Sequence, residues 1–167
     1  MPVSDYVSNL RRRIGHELVL LPGVTAAAFD DDGRLLLARH VAGDKWGFIG
    51  GGIEPLEEPV DAVRRELMEE TGADGQVLGV VGSYGGSRLA TTYPNGDQVA
   101  YVTTVYACRL SSGFQWLEQE EVSQLGWFTR PEIAALDRFD WIDQVVDDAF
   151  DWWASNAARS SRVASNA

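Results

Sequence analysis

Cysteine is almost absent from this 167-residue chain. Cys108 stands alone, which rules out an intrachain disulfide and a zinc site built on cysteine. Histidine is nearly as scarce, and His16 and His40 do not have the spacing of paired metal ligands. No run of about 18 apolar residues occurs, so no segment has the length and character of a membrane-spanning helix. The opening residues Met1-Pro2-Val3-Ser4-Asp5 lack the basic and apolar stretches of a signal peptide, and a reducing, cytoplasmic setting is expected. Positive charge is in short supply too: 14 Lys and Arg stand against 25 Asp and Glu, for a formal net charge of -11. A protein that coats nucleic acid carries the opposite sign, so nucleic-acid partners are disfavoured. Small phosphate compounds stay open, provided a cation offsets the repulsion locally.

What is present is a core. A content of 45% hydrophobic and 10% aromatic residues in a chain this long supports one folded domain and excludes disorder as the main state. Ser4 or Asp5 caps an amphipathic helix over residues 4–14, in which Val7, Leu10 and Ile14 recur at spacings of three and four. Leu18–Leu21 reads as a brief strand stopped by Pro22-Gly23. Val24–Phe29 and Arg34–Arg39 form a pair joined by Asp30-Asp31-Asp32-Gly33. The glycine falls at the fourth position rather than the sixth, so this is a turn and not a calcium loop. Further strands are expected at 77–82, 98–110 and 126–129. One helix is predicted over Pro59–Thr71, with Gly72 as its stop, and another over Pro131–Trp153 with Phe139, Ile142, Val146, Ala149 and Trp153 buried. The composition divides the chain into an N-terminal helical extension (1–17), a main domain (18–154) and a tail (155–167) expected to be disordered. The class is α/β.

The chemistry concentrates between Gly51 and Ala73. Successive helical residues turn by about 100°, so Glu66, Glu69 and Glu70 fall on one face, while Val60, Val63 and Leu67 form a separate apolar stripe. Carboxylates stacked this way repel one another unless a cation sits among them, and their oxygens suit Mg²⁺ or Mn²⁺. The glycine-rich loop just upstream lets backbone groups approach the same cation and its phosphates. Arg65 lies one turn from Glu69 and can pin a carboxylate.

The arrangement matches Gly-x5-Glu-x7-Arg-Glu-U-x-Glu-Glu-x-Gly-U at every fixed identity: Gly51, Glu57, Arg65, Glu66, Glu69, Glu70 and Gly72. At average residue frequencies, chance gives such a match roughly once in a million. The segment resembles the signature of the Nudix hydrolases, a family that includes MutT-like enzymes and ADP-ribose pyrophosphatases. Trp46-Gly-Phe-Ile-Gly-Gly resembles the strand and loop that lead into that signature, and Glu121-Val-Ser-Gln-Leu-Gly-Trp127-Phe128 resembles a later family segment. Ile49 stands for the usual proline, Leu56 for the usual glycine before Glu57, and Ala73 is small for its position.

The resemblance implies a Nudix α/β/α sandwich with a central mixed sheet. It also implies hydrolysis of a diphosphate bond in a nucleoside diphosphate linked to another moiety: a nucleotide sugar, ADP-ribose or a nucleoside triphosphate. It assigns Glu66, Glu69 and Glu70 as metal ligands with the Gly51 carbonyl as a fourth, for Mg²⁺ or alternatively Mn²⁺. Glu66 is also a candidate to orient the water or act as base, as is Glu69 for catalysis. Glu121 is the favoured base or extra ligand outside the signature, set against an ordinary acidic loop with Glu118 and Glu120. Glu57 and Arg65 are expected to support the site. Arg39 and Arg88 are candidates for phosphate contacts, and Trp46 and Phe48 for a nucleobase, with core packing as their alternative. The expected partner is a small nucleotide. Helix 4–14 is left open between homodimerisation and packing on the sheet. The competing functions are a non-catalytic nucleotide sensor and an RNA 5′-end pyrophosphohydrolase.

Overall fold

The computed structural model describes residues 4–110 and 121–164. Helix α1 (Asp5–Ile14) begins where the Ser4 side chain accepts from the Val7 N–H, as the sequence predicts. It buries none of its residues fully. Instead Arg11 ties it down by donating to the carbonyls of Glu17 (2.6 Å) and Gln98 (2.7 Å).

One mixed sheet organises the rest. Its strands are β1 (Val19–Phe29), β2 (Leu35–His40), β3 (Lys45–Gly47), β4 (Ile49–Gly52), β5 (Gly75–Tyr84), β6 (Ala90–Thr92), β7 (Gln98–Leu110) and β8 (Val122–Phe128). The central pair, β1 and β7, runs parallel from Val19 beside Val99 to Phe29 beside Arg109, and the other pairings are antiparallel. The path is β3-β2-β1-β7-β5, with β4 on β1, β6 on β7 and β8 on β2.

The expected break at Pro22-Gly23 does not occur. β1 is continuous through it, because Pro22 needs no N–H on the edge where pairing to β4 begins only at Gly23. Its carbonyl is still used, accepting from the Ile53 N–H at 3.2 Å.

Strand alternation feeds two cores. Ala26, Ala28, Leu36, Ala38, Tyr106 and Cys108 face one side of the sheet, packed with Ala62, Val63 and Leu67 of helix α2 (Pro59–Thr71). Ala27, Phe29, Leu35, Leu37 and Val105 face the other, against Ile142, Val145, Val146 and Ala149 of helix α4 (Ile142–Ala164). Strands buried on both faces between two helices make an α/β/α sandwich.

The single closing helix expected over 131–153 is instead two. Helix α3 (Arg130–Ala134) ends, and residues 137–139 bond to β3 before α4 starts: Trp46 N–H donates to the Asp137 carbonyl (3.0 Å), and Phe139 N–H to the Trp46 carbonyl (3.1 Å). The exchange with a strand spends the backbone groups that a helix would need. Phe139 therefore lies in the connection, half-buried beside the α4-side core. At the other end α4 continues to Ala164, so residues 155–164, expected to be disordered, are helical; residues 165–167 lie outside the described part. No glycine or proline interrupts this Ala-rich stretch, and a helix already nucleated propagates through it. Among the described residues no helix is long and apolar enough to cross a membrane.

Candidate active site

Helix α2 positions the carboxylates. Pro59 occupies its first turn, where a missing N–H costs nothing, and Gly72 closes it in the left-handed region at φ 68°, donating its N–H to the Met68 carbonyl. Its inward face holds Ala62, Val63, Leu67 and Thr71, and also Glu66 and Glu70. Val60, expected in the apolar stripe, is instead 40% exposed, whereas Ala62 takes a core position that the stripe did not include.

Glu66 and Glu70 are only 4% and 6% exposed. One Glu70 oxygen accepts from the Gly50 N–H at 3.4 Å. The other, Oε2, is buried and accepts no hydrogen bond among the described residues. Burial, reinforced by the charges of Glu66 and Glu121, pushes the Glu70 carboxyl up to about 8. Glu66 is also raised by burial, with Arg65 acting in the opposite direction.

Arg65 organises the other side of the cluster. Its Nε and Nη2 donate to the two Glu57 oxygens at 2.8 and 3.0 Å. Nη2 also donates to the Gly52 carbonyl at 3.0 Å, and Nη1 donates to Glu66 at 2.7 Å and Glu69 at 3.2 Å. The hydrogen bonds from Arg65 hold Glu57 below the usual carboxylate range. Glu69 is held by Arg65 at the surface, its side chain 56% exposed.

Sequence reasoning missed Gly50. Its N–H, not a group of Gly51, meets Glu70, because Ile53 bonds back to Pro22 and ladder bonds recur at alternate residues. That alternation turns Gly51 toward Val24 within the sheet and Gly50 outward. A Cβ on Gly50 would lie 2.3 Å from the Val24 carbonyl oxygen, and φ is 156°. Gly50→Ala is therefore expected to cost about 3 kcal/mol or more of stability in urea unfolding. An unchanged midpoint would mean that β4 yields freely.

Glu121 reaches this group from the far end of the chain. Its carbonyl accepts from the Val41 N–H at 2.9 Å, tying it to the end of β2, and its charge acts on Glu66, Glu70 and His40. Glu118 and Glu120 lie outside the described residues. His40 lies beside this group at the end of β2. It is mostly enclosed, with Nε2 3.0 Å from the Phe48 carbonyl, and its burial pushes the imidazole below its usual range.

The remaining candidates lie elsewhere. Phe48 is 3% exposed within the α4-side core, 6.1 Å from Trp141, and so is not available to a nucleobase. Trp46 packs edge-on against Phe128 at 4.9 Å on that same side. Both side chains take the packing alternative because β3 and the segment after it turn them toward α4, away from α2. Arg39 is engaged by Asp44 at 2.8 and 3.0 Å across the β2–β3 turn. Arg88 is exposed in a short 3-10 turn (Ser87–Leu89) between β5 and β6.

A hard divalent cation fits this donor set. Glu70 Oε2 is a buried carboxylate oxygen without a partner, beside a second buried carboxylate. As arranged, no group of three or more His, Cys, Asp or Glu side chains among the described residues is gathered to hold a metal ion. Arg65 accounts for this by drawing Glu66 and Glu69 toward its own guanidinium.

The chain is similar in sequence and fold to known proteins. Over 63 residues the chain is 52% identical to an RNA pyrophosphohydrolase of Saccharophagus degradans, covering 35% of this chain and 37% of that protein. It thus spans about a third of the length of the RNA pyrophosphohydrolases it matches. Over 102 residues it is 30% identical to the nucleoside triphosphatase NudI of an Enterobacter species, covering 59% of this chain and 72% of that one. The fold matches the NUDIX domain of Shewanella oneidensis NrtR, crystallised with ADP ribose, at a TM-score of 0.63 and 22% identity over 90% of this chain and 98% of the other. The NUDIX domain profile itself matches residues 19–150, from the start of β1 into α4, and with the complete signature on α2 this shows that the chain belongs to the Nudix family.

Proposed function

We propose that the chain is a divalent-cation-dependent pyrophosphohydrolase acting on a nucleoside diphosphate linked to another moiety, such as a nucleotide sugar, ADP-ribose or a nucleoside triphosphate. The observation that carries this is the buried Glu70 oxygen without a hydrogen bond, set among the negative charges of Glu66 and Glu121. A carboxylate so placed is at rest only when a proton or a cation joins it. Glu66, Glu69 and Glu70 would hold Mg²⁺ or Mn²⁺, with the backbone of Gly50 or Gly51 alongside. When bound, the cation neutralises phosphate charge and lowers the pKa of an attacking water.

The chain's own groups supply the rest. Glu121 accepts the proton of the attacking water as its oxygen bonds to phosphorus. The P–O bond of the diphosphate breaks, and the leaving phosphate carries away the electron pair. Glu57 and Arg65 keep Glu66 and Glu69 in place between turnovers. The products are a nucleoside monophosphate and a phosphorylated remainder, or pyrophosphate from a triphosphate.

A second reading, removal of pyrophosphate from RNA 5′ ends, is favoured by the local identity to RNA pyrophosphohydrolases. The -11 charge opposes it, because RNA binding draws on phosphate neutralisation. Both are tested by one panel with Mg²⁺: ADP-ribose, nucleotide sugars, nucleoside triphosphates and a 5′-triphosphorylated RNA. Cleavage of a free nucleotide and not of RNA is expected. Cleavage of RNA alone would replace the first reading with the second, and nucleotide binding without turnover would identify a sensor.

A further inference from the structure

We infer that His40 is a positioning residue: its imidazole pins the Phe48 carbonyl to the end of β2 and so fixes the Gly50–Glu70 contact relative to Glu121. This rests on the pyrophosphohydrolase reading above, with Glu121 as the base.

The path of the chain creates the need for such a pin. β3 pairs with β2 as far as Gly47, whereas β4 pairs with β1 from Ile49 onward. Phe48 lies between them and belongs to neither strand, at the point where the backbone leaves one partner for another. A carbonyl at such a crossing needs a donor from outside the ladders. His40 supplies it, with Nε2 3.0 Å away. A carbonyl only accepts, so Nε2 carries the hydrogen. Burial pushes the imidazole below its usual range, against the pull of this same bond and of the Glu121 charge. The side chain is therefore an uncharged donor at neutral pH.

Gly47 and Phe139 seat the ring. A Cβ on Gly47 would come within 3.1 Å of both Cδ2 and Nε2 of His40, so glycine leaves the imidazole its place against β3. Phe139 lies 5.9 Å away between ring centroids and is itself held by its N–H on the Trp46 carbonyl.

The same end of β2 holds the base. Val41 N–H donates to the Glu121 carbonyl at 2.9 Å, and His40 pairs in register with Val122. Two residues beyond Phe48, the Gly50 N–H donates to Glu70 at 3.4 Å. His40 and Val41 thus bond the two segments whose spacing the reaction needs, one carrying Glu121 and the other meeting Glu70. Without the imidazole bond one segment is free to shift against the other. A misplacement of about 1 Å at a reacting centre costs about 100-fold in rate.

The test measures kcat and KM with Mg²⁺ for each compound of the panel above that wild type cleaves, ADP-ribose and ATP first. Thermal unfolding checks that each variant is folded at the assay temperature. His40→Leu has no donor, and the amide of His40→Asn stops short of the carbonyl. Each is expected to lower kcat about 10- to 100-fold, with KM within about twofold of wild type. His40→Gln carries an amide nitrogen where the imidazole Nε2 lies, and should restore kcat to within about threefold. In Glu121→Gln protein the added His40→Asn change should cost less than about twofold more, because misplacing a base matters only while the base is there.

Unchanged kcat in His40→Asn, with or without a lower melting temperature, would overturn the assignment and leave the pyrophosphohydrolase reading intact. The same holds for no recovery in His40→Gln, for losses that multiply in the double variant, and for wild-type turnover in Glu121→Gln. Should His40→Leu fail to fold, the Asn and Gln variants, which differ by one methylene, carry the comparison. A wild-type protein that cleaves no member of the panel would overturn both readings.

Discussion

Glu70→Gln is expected to lower kcat by about 100- to 1,000-fold in protein that folds as well as wild type. The substitution keeps the shape and the hydrogen bond from Gly50, and removes only the charge that a cation would meet. A variant with wild-type turnover would refute the site.

A stability signature accompanies the loss. In metal-free protein the Glu70 carboxyl titrates near 8 in place of its ordinary 4.5, because burial and then the charge of Glu66 favour the protonated form. The folded state therefore retains a proton that the unfolded chain releases. This contribution to stability is complete below about pH 4.5, declines as pH rises, and is gone above about 8. Glutamine does not ionise and escapes the decline.

Metal-free Glu70→Gln should accordingly unfold at least about 5–10 °C above metal-free wild type at pH 8.5, with the gap closing toward pH 4.5. Saturating Mg²⁺ should raise wild type and leave the variant nearly unmoved. A gap of equal size at both pH values would show that Glu70 does not carry the effect.

Arg65→Lys should have the second-largest effect. The guanidinium joins Glu57, Glu66, Glu69 and the Gly52 carbonyl at once, through five contacts of 2.7–3.2 Å. An ammonium has the charge but neither the fork nor the reach. Glu57 would lose its paired grip, the Glu54–Glu57 turn would loosen, and Glu66 and Glu69 would lose their shared donor. We expect kcat to fall about 10- to 100-fold and stability to fall by about 2 kcal/mol. Thermal unfolding and steady-state kinetics on the same preparation would measure both. Wild-type kcat in Arg65→Lys would mean that helix α2 alone orients the carboxylates.

The sequence by itself determined the bounds of α2, from Pro59 to the Gly72 cap, and the shared face of Glu66, Glu69 and Glu70. Both follow from local geometry: proline and glycine act on their own turn, and residues three and four apart align on any helix. The pairing of Glu57 with Arg65 was legible for a similar reason, since the motif fixes their spacing across one loop and two turns.

Tertiary structure decided the rest. The motif does not distinguish its glutamates, yet the sheet buries Glu66 and Glu70 and leaves Glu69 at the surface, because only the side of α2 that packs on β1, β4 and β5 is covered. Strand spacing put Trp46 and Phe48 together but could not say which core they face, and they face α4. The closing helix broke at residues 137–139 because β3, distant in sequence, captured their backbone groups. Which Gly50, Gly51 or Gly52 group meets Glu70 depends on the ladder register between β1 and β4. Turns and helix faces are set within a few residues of chain, whereas burial, sheet register and the approach of Glu121 to Glu70 depend on segments that only folding brings together.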